Sequence, residues 1–428
     1  MKVLMFGWEF PPHISGGLGT ACYGLTKGLA TLEDTEVLFV VPKAYGDEEQ
    51  NLVKLIGANR IPITRKELKW NTTHHKIDYL EAYSQIIPYV SEKEFWNLKT
   101  KRITKGVRFI KTDTGYNINF SGTYGPDLIE EIKNYSIIAE VIALENHFDV
   151  IHAHDWLAYP AGMAAKKVSG KPLIIHVHAT DFDRSGGNVN PSVYAIEREG
   201  MENADKIIAV SNYTRQTIIE KYGIPEGKII TVYNAVDPTV NDKILFKKGV
   251  NEKVVSFLGR ITMQKGPEYF IEAAYLILKK LKNVRFVMAG SGDKMNEMIE
   301  RVAQLGMADK FHFTGFLKSD DVFRMFKMTD VFVMPSVSEP FGIVPLEAMQ
   351  ANVPVIISNQ SGVSEILKHA IKIDFWDTFA MADAIYGLLQ YPALSGFLRK
   401  SGIKEVGELT WKHSAKQVRD LYHELLNV

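Results

Sequence analysis

The chain has 428 residues, 46% of them hydrophobic and 23% charged, with 50 Lys and Arg balanced by 50 Asp and Glu. Such a length allows two or three domains around sizeable cores, and the neutral balance excludes a surface that holds nucleic acid or an acidic membrane by bulk charge, so any anion site is local. The one cysteine, Cys22, excludes an intrachain disulfide and fits a reducing compartment.

Met1 to Gly7 read as a buried first strand. They reach Trp8 and Glu9 too soon for a secretory leader, and no apolar run approaches the ~20 residues of a membrane span, so a cytoplasmic protein is expected. Short apolar runs then alternate with helical patterns, the signature of parallel α/β sheets. Strands are expected at 2–6, 36–41, 149–153, 172–177 and 206–210, with helices at 18–31, 128–146, 157–168, 192–203 and 212–221. Residues 225–250, with Pro225, Gly227, Pro238 and Gly249, read as a linker. Beyond it strands are expected at 253–258, 284–289, 310–314, 330–334 and 353–357. Their helices fall near 267–281, 294–304, 319–327, 343–350, 376–390 and 394–406. The expected fold is α/β, with two doubly wound, Rossmann-like domains at 1–240 and 241–410. Residues 45–135, rich in Trp, Tyr, Lys and Glu, read as an irregular insertion in the first domain. Apolar residues at 411, 415, 418, 421, 422, 425 and 426 predict a final amphipathic helix.

Several turns that follow strands carry chemistry. After the first strand comes Pro11-Pro12-His13-Ile14-Ser15-Gly16-Gly17-Leu18-Gly19, where Gly16 and Gly17 let a backbone approach a phosphate and the helix behind them aims its positive end at it. After the strand at 253–258 comes Gly259-Arg260-Ile261-Thr262-Met263-Gln264-Lys265-Gly266. Two cations at a strand's carboxyl end, Arg260 and Lys265, suit a diphosphate and the charge that grows on it as a leaving group, so that no metal is needed. The stretch Pro335-Ser336-Val337-Ser338-Glu339-Pro340-Phe341-Gly342-Ile343-Val344-Pro345-Leu346-Glu347 sets a carboxylate on each side of a Phe-Gly turn that opens a helix. Glu347 taken alone could merely support that helix through its dipole. Taken with the turn, Phe341, Gly342 and Ile343 would approach a phosphate while the carboxylates grip hydroxyls. Gly290, in Ala289-Gly290-Ser291-Gly292, and Phe316, after Thr314-Gly315, suit a base and ribose. His152, His154, His176 and His178 alternate along two strands, so each pair shares a face; by count they allow a zinc site.

These motifs resemble the retaining glycosyltransferases of the GT-B fold, the superfamily of glycogen and starch synthases. Glu339 and Glu347 fit its E-x7-E motif, whose first Glu contacts the donor sugar and whose second binds the nucleotide ribose. The segment 259–266 fits its G-R-(x4)-K-G pattern. The glycine loop is similar to the Lys-x-Gly-Gly-Leu loop of glycogen synthases, with Ile14 at the Lys position. The resemblance implies that His178 contacts the donor sugar near the reacting centre, in place of a zinc role. It also implies that His154, Asp155 and Trp156 lie on the acceptor side, and Asn234, in Val-Tyr-Asn-Ala-Val-Asp, falls in a further matching segment. Two domains facing across a cleft are implied, donor on the second and acceptor on the first, with the last helix returning to the first domain. The implied activity is transfer of a hexosyl unit, glucosyl foremost, from an ADP- or UDP-sugar to an acceptor hydroxyl with retention, without cofactor or metal. The acceptor is an α-1,4-glucan or a small carbohydrate such as a sugar phosphate, for which Ile14 argues. A sugar-nucleotide-binding protein without turnover is the rival of another class, disfavoured because Arg260, Lys265, Glu339 and His178 are all present.

Overall fold

The computed structural model describes residues 1–14, 16–48, 53–62, 109–111, 116–125, 127–237 and 249–427. They form two compact units. One holds the described residues up to Asn234 together with the helix Trp411–Leu426, the other those from Ala235 to Thr410. The expected boundary at 240, linker residues 238–248 and insertion residues 49–52, 63–108 and 112–115 lie outside the described residues.

In the first unit β1 (Lys2–Phe6), β2 (Glu36–Val41) and β3 (Lys54–Gly57) are followed by an antiparallel pair, β4 (Phe109–Lys111) and β5 (Tyr116–Ile118). Then come β6 (Val150–His154), β7 (Leu173–Val177), β8 (Lys206–Ala209) and β9 (Ile229–Thr231). Seven of them make one parallel sheet in the order β3-β2-β1-β6-β7-β8-β9. Its central strands are almost continuously apolar because helices cover both faces, and Val3 to Phe6 and Ile174 to Ile175 are wholly buried. β3 is one of the short strands of the expected irregular insertion, whereas β9 departs from expectation, lying where Pro225 and Gly227 suggested a linker.

The second unit carries β10 (Lys253–Leu258), β11 (Val284–Ala289), β12 (Phe311–Gly315), β13 (Val331–Met334), β14 (Val355–Ser358) and β15 (Ile371–Ile373). They form a parallel sheet in the order β12-β11-β10-β13-β14-β15. Both sheets are doubly wound. The strand order reverses between β1 and β6 in one and between β10 and β13 in the other. Outside the carboxyl ends of strands at such a reversal is where open α/β sheets bind ligands.

The helix Trp411–Leu426 belongs to the first unit and packs on the helix Gly17–Ala30. Gly24 and Gly28, four apart and so on one face, make the seat. A side chain on Gly24 would overlap the Trp411 indole, and one on Gly28 would come within 2.6 Å of the Trp411 carbonyl. Further along, the buried Tyr422 hydroxyl meets His152 Nδ1 at 2.6 Å. Among the described residues no helix is long and apolar enough to cross a membrane.

Candidate active site

In the second unit the two loops at the strand reversal are locked together. The β10 loop contains a short helical turn, Met263–Lys265, closed by Gly266 at φ +62°, the left-handed region where glycine is unstrained. A side chain on Gly266 would collide with the Pro335 carbonyl of the β13 loop, and Val337 N–H donates to the Gln264 carbonyl at 2.9 Å. This close approach brings Lys265 Nζ onto the Glu339 carboxylate, to which Ser336 Oγ also donates at 3.3 Å. The Glu339 backbone is strapped to the loop after β14: its N–H donates to the Gln360 carbonyl at 3.0 Å and its carbonyl accepts from Gly362 at 2.9 Å. Arg260 reaches the same loop, donating from Nη2 to Gln264 Oε1 at 3.3 Å.

Gly342 sits at φ +101°, and Ile343 caps the helix Val344–Gln350, which begins one residue later than expected. Glu347 lies in its first turn, partly buried, and desolvation pushes its carboxyl up to about 7. The Phe341 ring is core, so that residue presents only backbone, of which the carbonyl is already taken by Val363 N–H. Gly290, at φ +134°, has a packing reason for being glycine: a side chain there would strike the Gly259 carbonyl of the neighbouring loop. Phe316, after β12, is 64% exposed.

In the first unit the corresponding edge is lined by the glycine loop and the ends of β6 and β7. A side chain built on Gly16 or Gly17 would meet nothing within 4 Å, so packing does not demand glycine at either position and the backbone stays approachable. Gly19 is different, since a side chain there would press on Ile14 and on the buried carboxylate of Glu9. His152, His154, His176 and His178 form a stacked, buried set, with ring centroids 4.3–5.4 Å apart. Burial pushes His152 and His178 down to about 3, the Arg184 charge adding to the effect on His178, and it pushes His154 and His176 well below the usual imidazole range. All four are therefore neutral at physiological pH. Nitrogens of His152, His154 and His176 lie within 4.8 Å of one another, as do ligand atoms of Cys22, His154 and His178. Face-to-face stacking of His152, His154 and His176 sets their in-plane lone pairs side by side, which does not suit convergence on one ion at the ~2.0–2.1 Å that zinc requires, whereas the His154 and His178 rings are tilted to each other by 34°. His154 Nδ1 instead meets His178 Nε2 at 3.0 Å.

Two of the residues expected on the acceptor side turn inward. The Trp156 ring is 1% exposed and belongs to the core of the first unit, so it offers no face to an acceptor in this structure. Asp155 is equally buried; its oxygens point into its own unit, one accepting from Arg184 at 2.6 Å and the other from Ala179 N–H at 3.4 Å. Asn234 is buried at the end of the unit.

A sequence profile of the Glycosyl transferases group 1 family matches residues 240–393, and one of Glycosyltransferase Family 4 matches 115–240. Together they run from β5 through β15, which takes in the whole second sheet, the strands β6 to β9 of the first and all the loops just described except the glycine loop. The chain is a group 1 glycosyltransferase of the GT-B fold. It is 29% identical over 442 residues to an uncharacterized glycosyltransferase of Methanocaldococcus jannaschii, covering 99% of this chain and 98% of that one. With a glycogen synthase of Mycobacterium tuberculosis it shares 24% identity over 410 residues, 92% of this chain and 87% of the relative. Among solved structures, the sucrose-phosphate synthase of Thermosynechococcus elongatus superposes with a TM-score of 0.71 at 18% identity, covering 100% and 99% of the two chains. A UDP-glucose complex of Anabaena HepE gives 0.67 at 15%, covering 99% and 100%.

Sequence reasoning gave this glycosyltransferase no role for Arg184 or Glu197. Arg184 bridges Asp155 and the fully buried Glu197, whose carboxyl burial pushes up to about 8. Residues 29 and 13 positions apart in the chain give no periodic signal, and only the return of the chain beside β6 and β7 brings them together.

Proposed function

We propose that the glycosyltransferase moves a glucosyl unit from a nucleoside diphosphate sugar to an acceptor hydroxyl with retention at the anomeric carbon. The observation that carries this reading is the Lys265–Glu339 pair, with Arg260 on the same loop, at the strand reversal of the second sheet. Lys265 and Arg260 bind the diphosphate and stabilise the charge it gains as the bond from C1 to its oxygen breaks. In this reading Glu339, partnered to Lys265, supplies the carboxylate that an oxocarbenium-like sugar needs nearby. Neutral His178 contacts a sugar hydroxyl, Glu347 accepts from the ribose hydroxyls, and the Gly17 N–H adds to the anion site. The acceptor oxygen attacks C1 from the face the diphosphate leaves, and its proton passes to a leaving phosphate oxygen, so charge and protons balance without a metal.

An α-1,4-glucan is the favoured acceptor, supported by the likeness to a glycogen synthase, and the cytoplasm is the matching compartment. Ile14, in place of the glycogen synthases' Lys, and the likeness to the fold of a sucrose-phosphate synthase favour a second reading, a small sugar-phosphate acceptor. UDP-glucose is the first donor to try, since a structurally similar protein binds it. The test is a panel of ADP-, UDP- and GDP-glucose against maltooligosaccharides and hexose phosphates, with product linkage read by NMR. A new α-linkage with one pairing supports the reading. Inverted product sinks the retaining mechanism, and nucleotide-sugar binding without turnover in any pairing sinks the transferase assignment.

A further inference from the structure

Asp155 ends β6 in a left-handed conformation, φ +63°, that a non-glycine residue adopts only when its surroundings hold it there. What holds it is a buried array. Its N–H donates to the His176 carbonyl at 2.9 Å. Arg184 Nη2 donates to Asp155 Oδ2 at 2.6 Å and to the Ala179 carbonyl at 3.1 Å, while Nη1 donates to Glu197 Oε1 at 3.1 Å. Asp155 Oδ1 accepts from Ala179 N–H at 3.4 Å. The second oxygen of Glu197 accepts from Asp181 N–H at 3.2 Å and from the Tyr222 hydroxyl.

The N–H and the C=O of Ala179 therefore both end on one ion pair, and Ala179 directly follows His178. The charged ends of Asp155, Arg184 and Glu197 are nearly inaccessible, with side chains 2%, 7% and 1% exposed. A carboxylate so enclosed has nothing left to offer an acceptor. A planar guanidinium can serve two carboxylates and a carbonyl at once in a way an ammonium cannot.

We propose that Asp155, Arg184 and Glu197 are positioning residues that fix the backbone at Ala179 and so aim the His178 ring, and that Asp155 is not an acceptor contact. The proposal rests on the reading above in taking His178 as a donor-sugar contact. Removing Arg184 would leave the carboxyl oxygens of Asp155 and Glu197 buried without the guanidinium that donates to them and free the loop to move.

The test uses the full-length protein and the variants Asp155→Asn, Arg184→Gln, Arg184→Lys and Glu197→Gln, with two readouts. The first is UDP-glucose turnover with water alone and with maltooligosaccharide. The second is the imidazole resonances of the 13C-histidine-labelled protein, with His178 assigned through His178→Asn. Misplacing a contact group by about an ångström costs roughly 10²-fold in rate. Asp155→Asn and Arg184→Gln should therefore lower kcat about 10–100-fold, with or without acceptor, while acceptor KM stays within about twofold. The His178 resonances should move in both, and Arg184→Lys should restore them only in part. Glu197→Gln, which keeps an acceptor for Arg184, should have the smallest effect on both readouts. If Arg184→Gln fails to fold, the near-isosteric Asp155→Asn carries the test. A raised acceptor KM with unchanged donor hydrolysis and unmoved His178 resonances would overturn the proposal. Should no nucleotide sugar turn over even in the wild type, the functional reading fails, and the resonances still decide this one.

Discussion

Lys265 donates to the carboxylate of Glu339, joining the loop after β10 to the loop after β13. A cation assigned to the leaving diphosphate and a carboxylate assigned to the sugar are thus one coupled pair. Lys265→Ala and Arg260→Ala should each slow transfer by about 2–4 kcal/mol, roughly 10²–10³ in rate, the usual loss for a donor that strengthens in the transition state. Lys265→Ala combined with Glu339→Gln should cost less than the sum of the two, because each single change already breaks the pair. Steady-state rates on a double-mutant cycle measure this; additive effects would mean the pair does not act as a unit.

Glu347 should have a different phenotype from Glu339. A ribose contact is made equally in ground and transition states, so Glu347→Gln should mainly raise donor KM, whereas Glu339→Gln should mainly lower kcat. Donor-saturation kinetics that show the reverse would exchange the two roles.

The elevated carboxyl of Glu347, about 7 against an ordinary 4.5, also has a pH signature. Between those values the folded chain holds a proton that the unfolded chain has released. Its contribution to stability therefore falls as pH rises from about 4.5 to 7 and levels off above. The melting temperature of Glu347→Gln minus that of the wild type should grow over this window and then stay flat. Affinity for UDP should tighten more steeply with pH in the wild type, as the carboxylate forms, than in the variant, where only the ionisation of the terminal phosphate, at about pH 6, remains. A melting difference constant from pH 4.5 to 8 would show that Glu347 does not titrate there.

In the proposed mechanism Lys265, Arg260 and backbone N–H groups supply the counter-charge, so transfer should survive dialysis against EDTA, and added magnesium or manganese should change the rate by less than about twofold. Strict dependence on a divalent ion would return attention to the histidine set.

Two classes of glycine should separate. Gly16→Ala and Gly17→Ala meet open space, so melting should be unchanged or slightly raised while donor affinity falls. Gly24→Ala drives a methyl into Trp411 and should lower the melting temperature, as should Trp411→Ala, at about 3–5 kcal/mol for a large buried aromatic. Thermal denaturation beside UDP titration checks all four; a destabilised Gly17→Ala would mean that its glycine serves packing.

Both sheets were legible because parallel strands covered on both faces leave long apolar runs, such as Val3 to Phe6 and Val331 to Met334, that a sequence displays directly. The three-residue edge strands β9 and β15 were not, being too short for any pattern and, for β9, flanked by turn residues. Arg260, Lys265 and Glu339 could be singled out as neighbours because each sits in a loop that follows a strand of the same sheet. The inward aim of Asp155 and the burial of Trp156 could not be read, since a motif names residue types without saying which way a side chain turns. Gly290 shows the same ambiguity: a glycine that suits a nucleotide and one that clears a neighbouring carbonyl are spelled alike.

The seat formed by Gly24 and Gly28 bears on how the protein is made. Its occupant, Trp411, is translated after the entire second unit, although the seat itself lies within the first thirty residues. Domains ordinarily fold in the order in which they leave the ribosome. Here the second unit, whose described residues all lie between Ala235 and Thr410, can complete its core while the first still waits with an uncovered groove beside Gly24 and His152 without its Tyr422 partner. A nascent chain stalled before residue 411 would carry a finished second unit and an open first one, and that open groove is the surface a chaperone would meet first.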